Sequence, residues 1–315
     1  MRALVFDGEL RVREVPMPHP EKGEALIKVL SAGICNTDLE IVRGYMKFSG
    51  ILGHEFVGTV ERASNAHLIG KRVVGEINCV CHRCHYCQIE MPHHCLGRSV
   101  LGILNRPGAF AEYLVLPEEN LHLAPQSVRD DVAVFTEPLA AAFRIPEQVR
   151  FNGNERVIVM GDGKLGQLVS QVLWLQTKNL VCVGKHESKL AHLRKLGIAT
   201  VLADEPLERG ADVVVEATGS PGALGRAIEL VRPEGTVVLK STTAQPAQLE
   251  LGGPVVNEIN IIGSRCGPFR PALEALSLGT VEVQPLITDV FDLRDGLKAF
   301  RRAGESGTMK ILLHM

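Results

Sequence analysis

The sequence predicts an α/β protein with two parts: an antiparallel β region, followed by a doubly wound parallel sheet with helices on both faces. In the first part, short alternating apolar runs are broken by prolines and glycines, which is typical of antiparallel strands joined by turns. From residue 157 onward, short apolar runs alternate with helical segments, which is typical of a parallel sheet. At 315 residues the chain is long enough for two hydrophobic cores.

The first part contains predicted strands over residues 3–6 and 25–29, where apolar and polar residues alternate between turn-forming prolines and Gly23. A helix is predicted to begin near Glu137-Pro138, because proline is tolerated in the first helical turn. The predicted strands of the second part span 157–160, 180–183, 200–202, 213–216, 237–239 and 259–262. The predicted helices there span 167–176, 188–196 and 221–231. The last segment adds predicted helices at 271–278 and 293–302 and a strand at 308–313.

A glycine-rich turn follows the strand predicted at 157–160, with the spacing GxGxxG. The first glycine permits a tight turn, the second lets a pyrophosphate approach the backbone, and the third lets the following helix pack closely. The spacing alone is a weak signal, but here a strand precedes it and a helix and a second strand follow it. The sequence therefore predicts a dinucleotide site at Gly161, Gly163, Lys164, Leu165 and Gly166.

Four cysteines form the pattern C-x2-C-x2-C-x7-C at Cys81, Cys84, Cys87 and Cys95. Four thiolates on one short loop match the tetrahedral preference of structural zinc. Free cysteines rarely cluster in this way without a metal, so we interpret the loop as a closed zinc site. Cys79 lies outside the pattern.

A second set of metal-binding residue types is spread over two motifs. Cys35 is followed by Thr37 and by Asp38, a carboxylate that could orient a metal ligand, and His54-Glu55 supplies imidazole and carboxylate. A lone cysteine is more often a small buried hydrophobe, and a His-Glu pair is more often a polar pair at a loop edge. Beside the four-cysteine loop, however, the two motifs together favour a second zinc site.

These motifs occur in a characteristic order together with two further segments, Gly108 to Tyr113 and Glu137-Pro138-Leu139-Ala140. In this combination the chain resembles the zinc-containing medium-chain dehydrogenase/reductase family, which includes alcohol, sorbitol, glucose and threonine dehydrogenases. The resemblance implies a GroES-like β catalytic domain over residues 1–146, to which residues 268–315 return. It also implies a Rossmann dinucleotide-binding domain over residues 147–267.

The resemblance also implies an activity, which is hydride transfer between an alcohol, aldehyde or ketone and a nicotinamide cofactor, with zinc as Lewis acid. The implied catalytic residues are Cys35, Thr37, His54, Glu55 and Glu137. Thr37 would relay the alcohol proton. Glu137 would ligate zinc or hold water beside it, although an acid there could equally complement a helix dipole. Lys310 stands where the family has a basic residue that reaches the cofactor pyrophosphate.

Cofactor choice depends on the residues after the second strand of the parallel sheet. Enzymes that use NAD carry an acid there for the adenosine ribose, and that acid repels a 2′-phosphate. This chain has Lys185 and His186 instead, with Lys189 one helical turn later and a small Gly184 that would make room for the phosphate. We therefore expect NADP(H) to be favoured over NAD(H). Glu187 could still bind ribose if the strand ended later.

Composition excludes several classes of partner. A net charge of −2 gives no reason to expect nucleic acid or a membrane surface, and no apolar run reaches the roughly 20 residues of a spanning helix. Clustered cysteines at metal-like spacing favour a reducing, cytoplasmic compartment. The family resemblance implies a homo-oligomer, either a dimer or a tetramer. Three alternatives remain: an NAD-dependent polyol or amino-alcohol dehydrogenase, a zinc-free quinone-type reductase, and a zinc-organised interaction module.

Overall fold

A computed structural model describes residues 1–241 and 250–315, which divide into two compact units. The first unit comprises Met1–Glu137 and Phe269–Met315, and the second comprises Pro138–Pro268. The first boundary falls at the start of a helix, earlier in the chain than the boundary predicted after residue 146. Within the described residues, no helix is both long and apolar enough to cross a bilayer.

The first unit begins with short strands and few helices, as its proline-rich and glycine-rich sequence predicts. Its elements in chain order are β1 (Arg2–Phe6), β2 (Leu10–Glu14), β3 (Glu24–Ile34), α1 (Asn36–Val42), β4 (Gly50–Ile51), β5 (Glu55–Arg62), β6 (Arg72–Gly75), β7 (Asn78–Cys79), α2 (His85–Gln88), β8 (Ser99–Leu101), β9 (Asn105–Arg106), β10 (Tyr113–Pro117), β11 (Leu121–Leu123) and α3 (Asp130–Ala133). Single 3-10 turns also occur, at Tyr45–Lys47, Ala66–Leu68, Pro92–His94 and Glu118–Asn120.

The second unit is built on a parallel sheet. Its elements are α4 (Thr136–Gln148), β12 (Val157–Met160), α5 (Lys164–Trp174), β13 (Leu180–Gly184), α6 (Glu187–Lys195), β14 (Ala199–Leu202), β15 (Ala211–Glu216), α7 (Ala223–Leu230), β16 (Val231–Leu239), α8 (Gly252–Val256) and β17 (Asn260–Gly263). The strand order is β14-β13-β12-β15-β16-β17, and the paired strands are parallel. The order reverses beside β12, and open α/β sheets bind ligands outside the carboxyl ends of their strands at such a point. The predicted doubly wound sheet is confirmed.

The chain then returns to the first unit through α9 (Phe269–Leu278), β18 (Ile287–Asp292), α10 (Gly296–Ala303) and β19 (Lys310–His314), with 3-10 turns at Gln284–Leu286 and Leu293–Asp295. The strand β19 pairs antiparallel with β3, and the largest sheet of this unit has the order β11-β6-β5-β3-β19-β18, with β10 also on β3. Two smaller sheets have the orders β2-β1-β4 and β7-β8-β9. An 11-residue β3 thus connects the early and late segments of the unit.

The apolar runs predict the central strands of the parallel sheet correctly because these strands are buried. All four residues of β12 are buried, as expected for a central strand covered on both faces by helices. The helix α5 packs beside it and buries Leu168, Val169, Val172 and Leu173, each worth about 1.5–3 kcal/mol of hydrophobic stabilisation by general transfer scales.

Most elements differ from their predicted bounds by one or more residues, and two of these differences have a local structural cause. The helix α5 begins at Lys164 rather than at residue 167, because Gly163 serves as its N-cap and accepts the main-chain N–H of Gln167 at 2.9 Å. The strand β16 begins at Val231 rather than at residue 237. Glu234, at a φ of 56°, interrupts its apolar pattern, and the pairing with β15 shifts register nearby.

Candidate functional site

The register of the largest sheet brings three distant parts of the first unit together where β3 ends. Gly33 pairs with Glu55 at the start of β5, and Ile34 pairs with Ile311 next to the start of β19. Cys35 follows directly and is the N-cap residue of α1. The side chains of Cys35, Glu55 and Lys310 therefore converge on one point.

Gly33 is needed for this convergence because its neighbours leave no room for a side chain. A Cβ atom at Gly33 would lie 2.5 Å from Oε2 of Glu55, 2.8 Å from Cγ1 of Val134 and 3.3 Å from Cδ of Lys310. The first two distances are shorter than ordinary van der Waals contact. Glycine thus lets two charged side chains cross the strand backbone at close range.

A compact cluster of metal-binding side chains forms at this point. One ligand atom from each of Cys35, His54 and Glu55 lies within 4.8 Å of the others, and His54 and Glu55 are only 3% and 0% exposed. Thr37 lies at its edge, with its hydroxyl oxygen 3.8 Å from the sulfur of Cys35. The structure therefore brings together four of the five predicted catalytic residues.

Asp38 braces two members of the cluster from behind. Its Oδ2 accepts the main-chain N–H of Cys35 at 2.8 Å, and its Oδ1 lies 3.2 Å from Nδ1 of His54. The second contact is electrostatic, because its geometry falls short of a hydrogen bond. With Nδ1 turned toward Asp38, Nε2 is the imidazole nitrogen available to a metal.

The donor set fits zinc. A thiolate, an imidazole and a carboxylate are the ligand types that catalytic zinc sites combine. The Oε1 atom of Glu55 is buried without a hydrogen-bond partner, an arrangement that costs free energy unless a cation compensates it. Burial alone would lower the pKa of His54, but the Asp38 carboxylate and the Cys35 thiol outweigh it and raise that pKa well above its usual value. A cation would displace this proton on binding.

Lys310 belongs to this cluster, which the sequence did not reveal. Its side chain is 1% exposed, its ammonium donates a hydrogen bond to Oε2 of Glu55, and it lies 5.5 Å from the centre of the Phe135 ring. Burial would lower the pKa of Lys310, but Glu55, Cys35 and Glu137 outweigh it and raise that pKa. The ammonium of Lys310 thus forms a buried ion pair with Glu55, and its predicted contact with a cofactor pyrophosphate stays a prediction.

Glu137, the fifth predicted catalytic residue, lies in the first turn of α4. Its carboxylate is not part of the compact Cys35–His54–Glu55 set, although its charge acts on Lys310. Of the two glutamates, Glu55 is thus the one that belongs to the compact set.

The four cysteines of the predicted closed site also come together, each offering a sulfur within 4.8 Å of the others. The sulfurs of Cys81 and Cys95 are 3.4 Å apart, and those of Cys84 and Cys87 are 3.6 Å apart. A tetrahedron with Zn–S bonds of about 2.3 Å has edges of about 3.8 Å, whereas a disulfide is about 2.05 Å long. The spacing thus fits a ZnS₄ site and excludes disulfides.

Main-chain donors favour the thiolate form in this loop. The N–H groups of Cys87 and Leu96 are the largest influence on Cys84 and lower the pKa of that thiol to about 6. Metals bind the thiolate rather than the thiol. The backbone of the loop is therefore arranged to hold at least one thiolate near neutral pH.

In the second unit, the glycine turn has the sterics that a dinucleotide site requires. Gly161 has a φ of 122°, and a Cβ atom there would lie 2.8 Å from the carbonyl oxygen of Ala217. A Cβ atom at Gly166 would overlap the carbonyl oxygen of Gly161. A Cβ atom at Gly163 would meet nothing within 4 Å. Gly163 lies with Lys164 and Leu165 at the N-terminus of the 11-residue α5. The backbone there is therefore open to the approach of a phosphate group.

The segment after β13 differs in detail from expectation. The strand ends at Gly184 and α6 begins at Glu187, so Lys185 and His186 form the link between them and Lys189 lies in the first turns of α6. The space beside Gly184 was expected to admit a phosphate. It is instead filled by Asp162, whose Oδ2 would lie 2.6 Å from a Cβ atom at Gly184.

Comparison with known proteins places this geometry in a family. Residues 21–126 match the model of the alcohol dehydrogenase GroES-like domain, and residues 165–278 match the model of the zinc-binding dehydrogenase domain. The chain is similar to an L-threonine 3-dehydrogenase of Chelativorans sp., with 31% identity over 340 residues that cover 98% of this chain and 97% of that protein.

Solved structures agree with this assignment. The RspB alcohol dehydrogenase of Escherichia coli, in complex with NADH, has a TM-score of 0.92 and 27% identity, covering 100% of this chain and 99% of that one. A zinc-binding dehydrogenase of Sinorhizobium meliloti, bound to NADP, has a TM-score of 0.91 and 26% identity, again covering 100% and 99%. The chain therefore belongs to the zinc-containing medium-chain dehydrogenase/reductase family, and it is an oxidoreductase.

Proposed function

We propose that this oxidoreductase transfers a hydride between an alcohol, or the corresponding aldehyde or ketone, and a nicotinamide cofactor at a zinc centre. The observation that carries the proposal is the buried set of Cys35, His54 and Glu55, with Asp38 oriented behind it. When bound, zinc supplies Lewis-acid polarisation of the substrate oxygen, and the nicotinamide ring accepts or supplies the hydride.

The residues of the site have separate roles in metal binding and proton transfer. Cys35 and His54 would hold the metal, and Glu55 and Glu137 would share the remaining coordination, one bound and one close by. A catalytic zinc site keeps one position open for water or substrate, so a second carboxylate close by would be able to share the coordination. The Thr37 hydroxyl, which borders the cluster, receives the proton of the substrate alcohol and passes it outward.

A second zinc ion is proposed at Cys81, Cys84, Cys87 and Cys95, where four protein ligands leave no position for substrate. The role of this ion is structural, because the loop it holds has only short helices and few buried residues of its own. The holoenzyme would therefore contain two zinc ions per chain.

For the cofactor we propose that NADP(H) is favoured over NAD(H). The support is the absence of an acid at Gly184, Lys185 and His186 and the presence of Lys189 nearby. Relatives of similar fold have been seen with either cofactor, RspB with NADH and the Sinorhizobium meliloti protein with NADP. The alternative is an NAD-dependent polyol or amino-alcohol dehydrogenase, and the similarity to an L-threonine 3-dehydrogenase favours including amino alcohols among the substrates tested.

The proposal is tested by assaying purified protein of known zinc content against secondary alcohols, polyols, amino alcohols and aldehydes, with NAD(H) and NADP(H) in parallel. We expect turnover with at least one class, and loss of turnover in Cys35→Ser without loss of folding. Turnover that survives in Cys35→Ser would contradict the zinc mechanism. Absence of any turnover in zinc-loaded protein would contradict the dehydrogenase assignment.

We further propose that the second unit pairs with a second copy of the chain along β17. This strand is at the edge of the parallel sheet, and its residues are largely exposed. Leu251, Val255 and Val256 of the adjoining segment are 65%, 73% and 81% exposed, which is unusual for a row of large apolar side chains. Val256→Glu should lower the mass measured by analytical ultracentrifugation, whereas an unchanged mass would place the interface elsewhere.

A further inference from the structure

Asp162 lies inside the glycine turn, yet its side chain reaches the carboxyl end of the neighbouring strand β13. Its Oδ2 accepts the main-chain N–H groups of Lys185 at 2.8 Å and His186 at 2.6 Å, and it lies 3.0 Å from Nδ1 of the His186 ring. The residue is only 7% exposed. A carboxylate is thus fixed at the strand end although the strand itself carries none.

Gly184 makes this arrangement possible. A Cβ atom there would lie 2.6 Å from Oδ2 and 2.7 Å from Cγ of Asp162, so any other residue at Gly184 would expel the carboxylate. The Asp162 carboxylate therefore occupies the volume that the side chain of a strand-end acid would begin to fill. Gly184 and Asp162 are complementary, because the carboxylate can reach the strand end only when residue 184 has no side chain.

We propose that Asp162 is a specificity-determining residue for the cofactor, which takes the place of the strand-end acid and opposes a 2′-phosphate. Two consequences of the geometry support it. The three contacts fall on Oδ2 and leave Oδ1 to accept an adenosine ribose hydroxyl. They also occupy the main-chain donors at residues 185 and 186, which a phosphate at this position would otherwise use.

This inference rests on the proposed nicotinamide-dependent function and refines its cofactor choice. Lys185 and Lys189 attract a 2′-phosphate, whereas the Asp162 carboxylate repels it and competes for its donors. The preference for NADP(H) would then reflect the attraction of the 2′-phosphate by the lysines minus its repulsion by Asp162, rather than the effect of the lysines alone. Asp162 limits that preference and leaves NAD(H) usable.

The test measures binding of the adenosine half of each cofactor, independently of zinc and of turnover. Calorimetric titrations with 5′-AMP and with 2′,5′-ADP are compared for the unmutated protein, Asp162→Asn and Asp162→Ser. Asparagine keeps the shape and removes the charge, while serine also opens the space. We expect the affinity ratio to move toward 2′,5′-ADP by about tenfold, the size of effect that one partly solvated charge exerts at about 5 Å.

Glu187→Gln is the matched comparison, because Glu187 is an acid at the start of α6 whose side chain pairs with Arg194 instead. Its affinity ratio should stay within about twofold of the unmutated value, as for an exposed ion pair. If the Asp162 variants lost affinity for both nucleotides equally, Asp162 would only stabilise the loop, and the inference would be overturned. Failure of the unmutated protein to bind either nucleotide would instead overturn the proposed function itself.

Discussion

Lys310 and Glu55 are 255 positions apart in the sequence, yet the Lys310 ammonium donates a hydrogen bond to the Glu55 carboxylate in the interior of the first unit. Neither side chain is more than 1% exposed. Removing two such charges from water is costly, and the pair is tolerated because each compensates the other. Loss of either partner therefore leaves an uncompensated buried charge.

We expect Lys310→Met to lower the free energy of unfolding of the metal-free protein by about 3–5 kcal/mol, the usual cost of breaking a buried pair. Urea denaturation followed by circular dichroism measures this directly. The double variant Lys310→Met, Glu55→Gln should recover part of the loss, since it removes the stranded carboxylate as well.

Lys298→Met is the matched control, because Lys298 pairs with Asp295 on the surface and its side chain is 65% exposed. It should cost less than about 1 kcal/mol. If the Lys298 and Lys310 substitutions lowered the free energy of unfolding equally, the buried pair would contribute no more to stability than a surface pair.

The four-cysteine loop gives a prediction about metal content. Cys84→Ser should reduce zinc from about two equivalents to about one and lower the melting temperature, because a structural site needs all four ligands. Cys79→Ser is the control, since Cys79 is a buried cysteine of β7 outside the ligand set. Elemental analysis of both variants measures their zinc content, and thermal unfolding measures their melting temperatures. Unchanged zinc in Cys84→Ser would refute the structural site.

The two glutamates near the catalytic cluster can be separated by substitution. We expect Glu55→Gln and Glu137→Gln each to reduce kcat/KM at least about tenfold in folded protein, as is usual when a group that tunes a metal is altered. Because Oε2 of Glu55 also accepts a hydrogen bond from Lys310, Glu55→Gln should in addition lower the stability of the protein by more than Glu137→Gln does. Full activity in either variant removes that glutamate from the site.

Cofactor choice gives the fourth prediction. The unmutated protein should have a higher kcat/KM with NADPH than with NADH, and Lys185→Asp should weaken or reverse that preference by replacing attraction with repulsion toward the 2′-phosphate. Lys195→Asp, at the far end of α6, makes the same change in net charge and should leave the ratio unaltered. A preference for NADH in the unmutated protein would refute the NADP(H) proposal.

The features predicted best from sequence depend on a few neighbouring residues. The spacing of Gly161 and Gly166 indicated a tight turn, and the structure explains it, since a side chain at either position would meet a carbonyl oxygen. The strand β12 was predicted with its observed bounds, because its four residues are buried and apolar. The four cysteines were recognisable for the same reason: their loop is short, so sequence spacing limits the distances between sulfurs.

The features that escaped prediction depend on pairing between distant segments or on the direction of one side chain. Lys310 enters the cluster only because β19 pairs with β3, and no local pattern around Lys310 indicates that register. The position of Asp162 depends on its side chain turning toward β13, which GxGxxG spacing does not specify. Gly184 was predicted to make room for a phosphate, and the residues next to it in the sequence do not indicate that Asp162 fills that space instead.

The pairing of β19 with β3 has a consequence for how the protein is made. During translation, β3 and β5 leave the ribosome long before β19, and at usual elongation rates the 255 residues between Glu55 and Lys310 take roughly 10–50 s to synthesise. Throughout that interval residues 31–34 of β3 lack their partner strand β19, and the carboxylate of Glu55 lacks its lysine. The first unit therefore cannot complete its largest sheet, or neutralise the buried Glu55 carboxylate with Lys310, until the whole of the second unit has been synthesised.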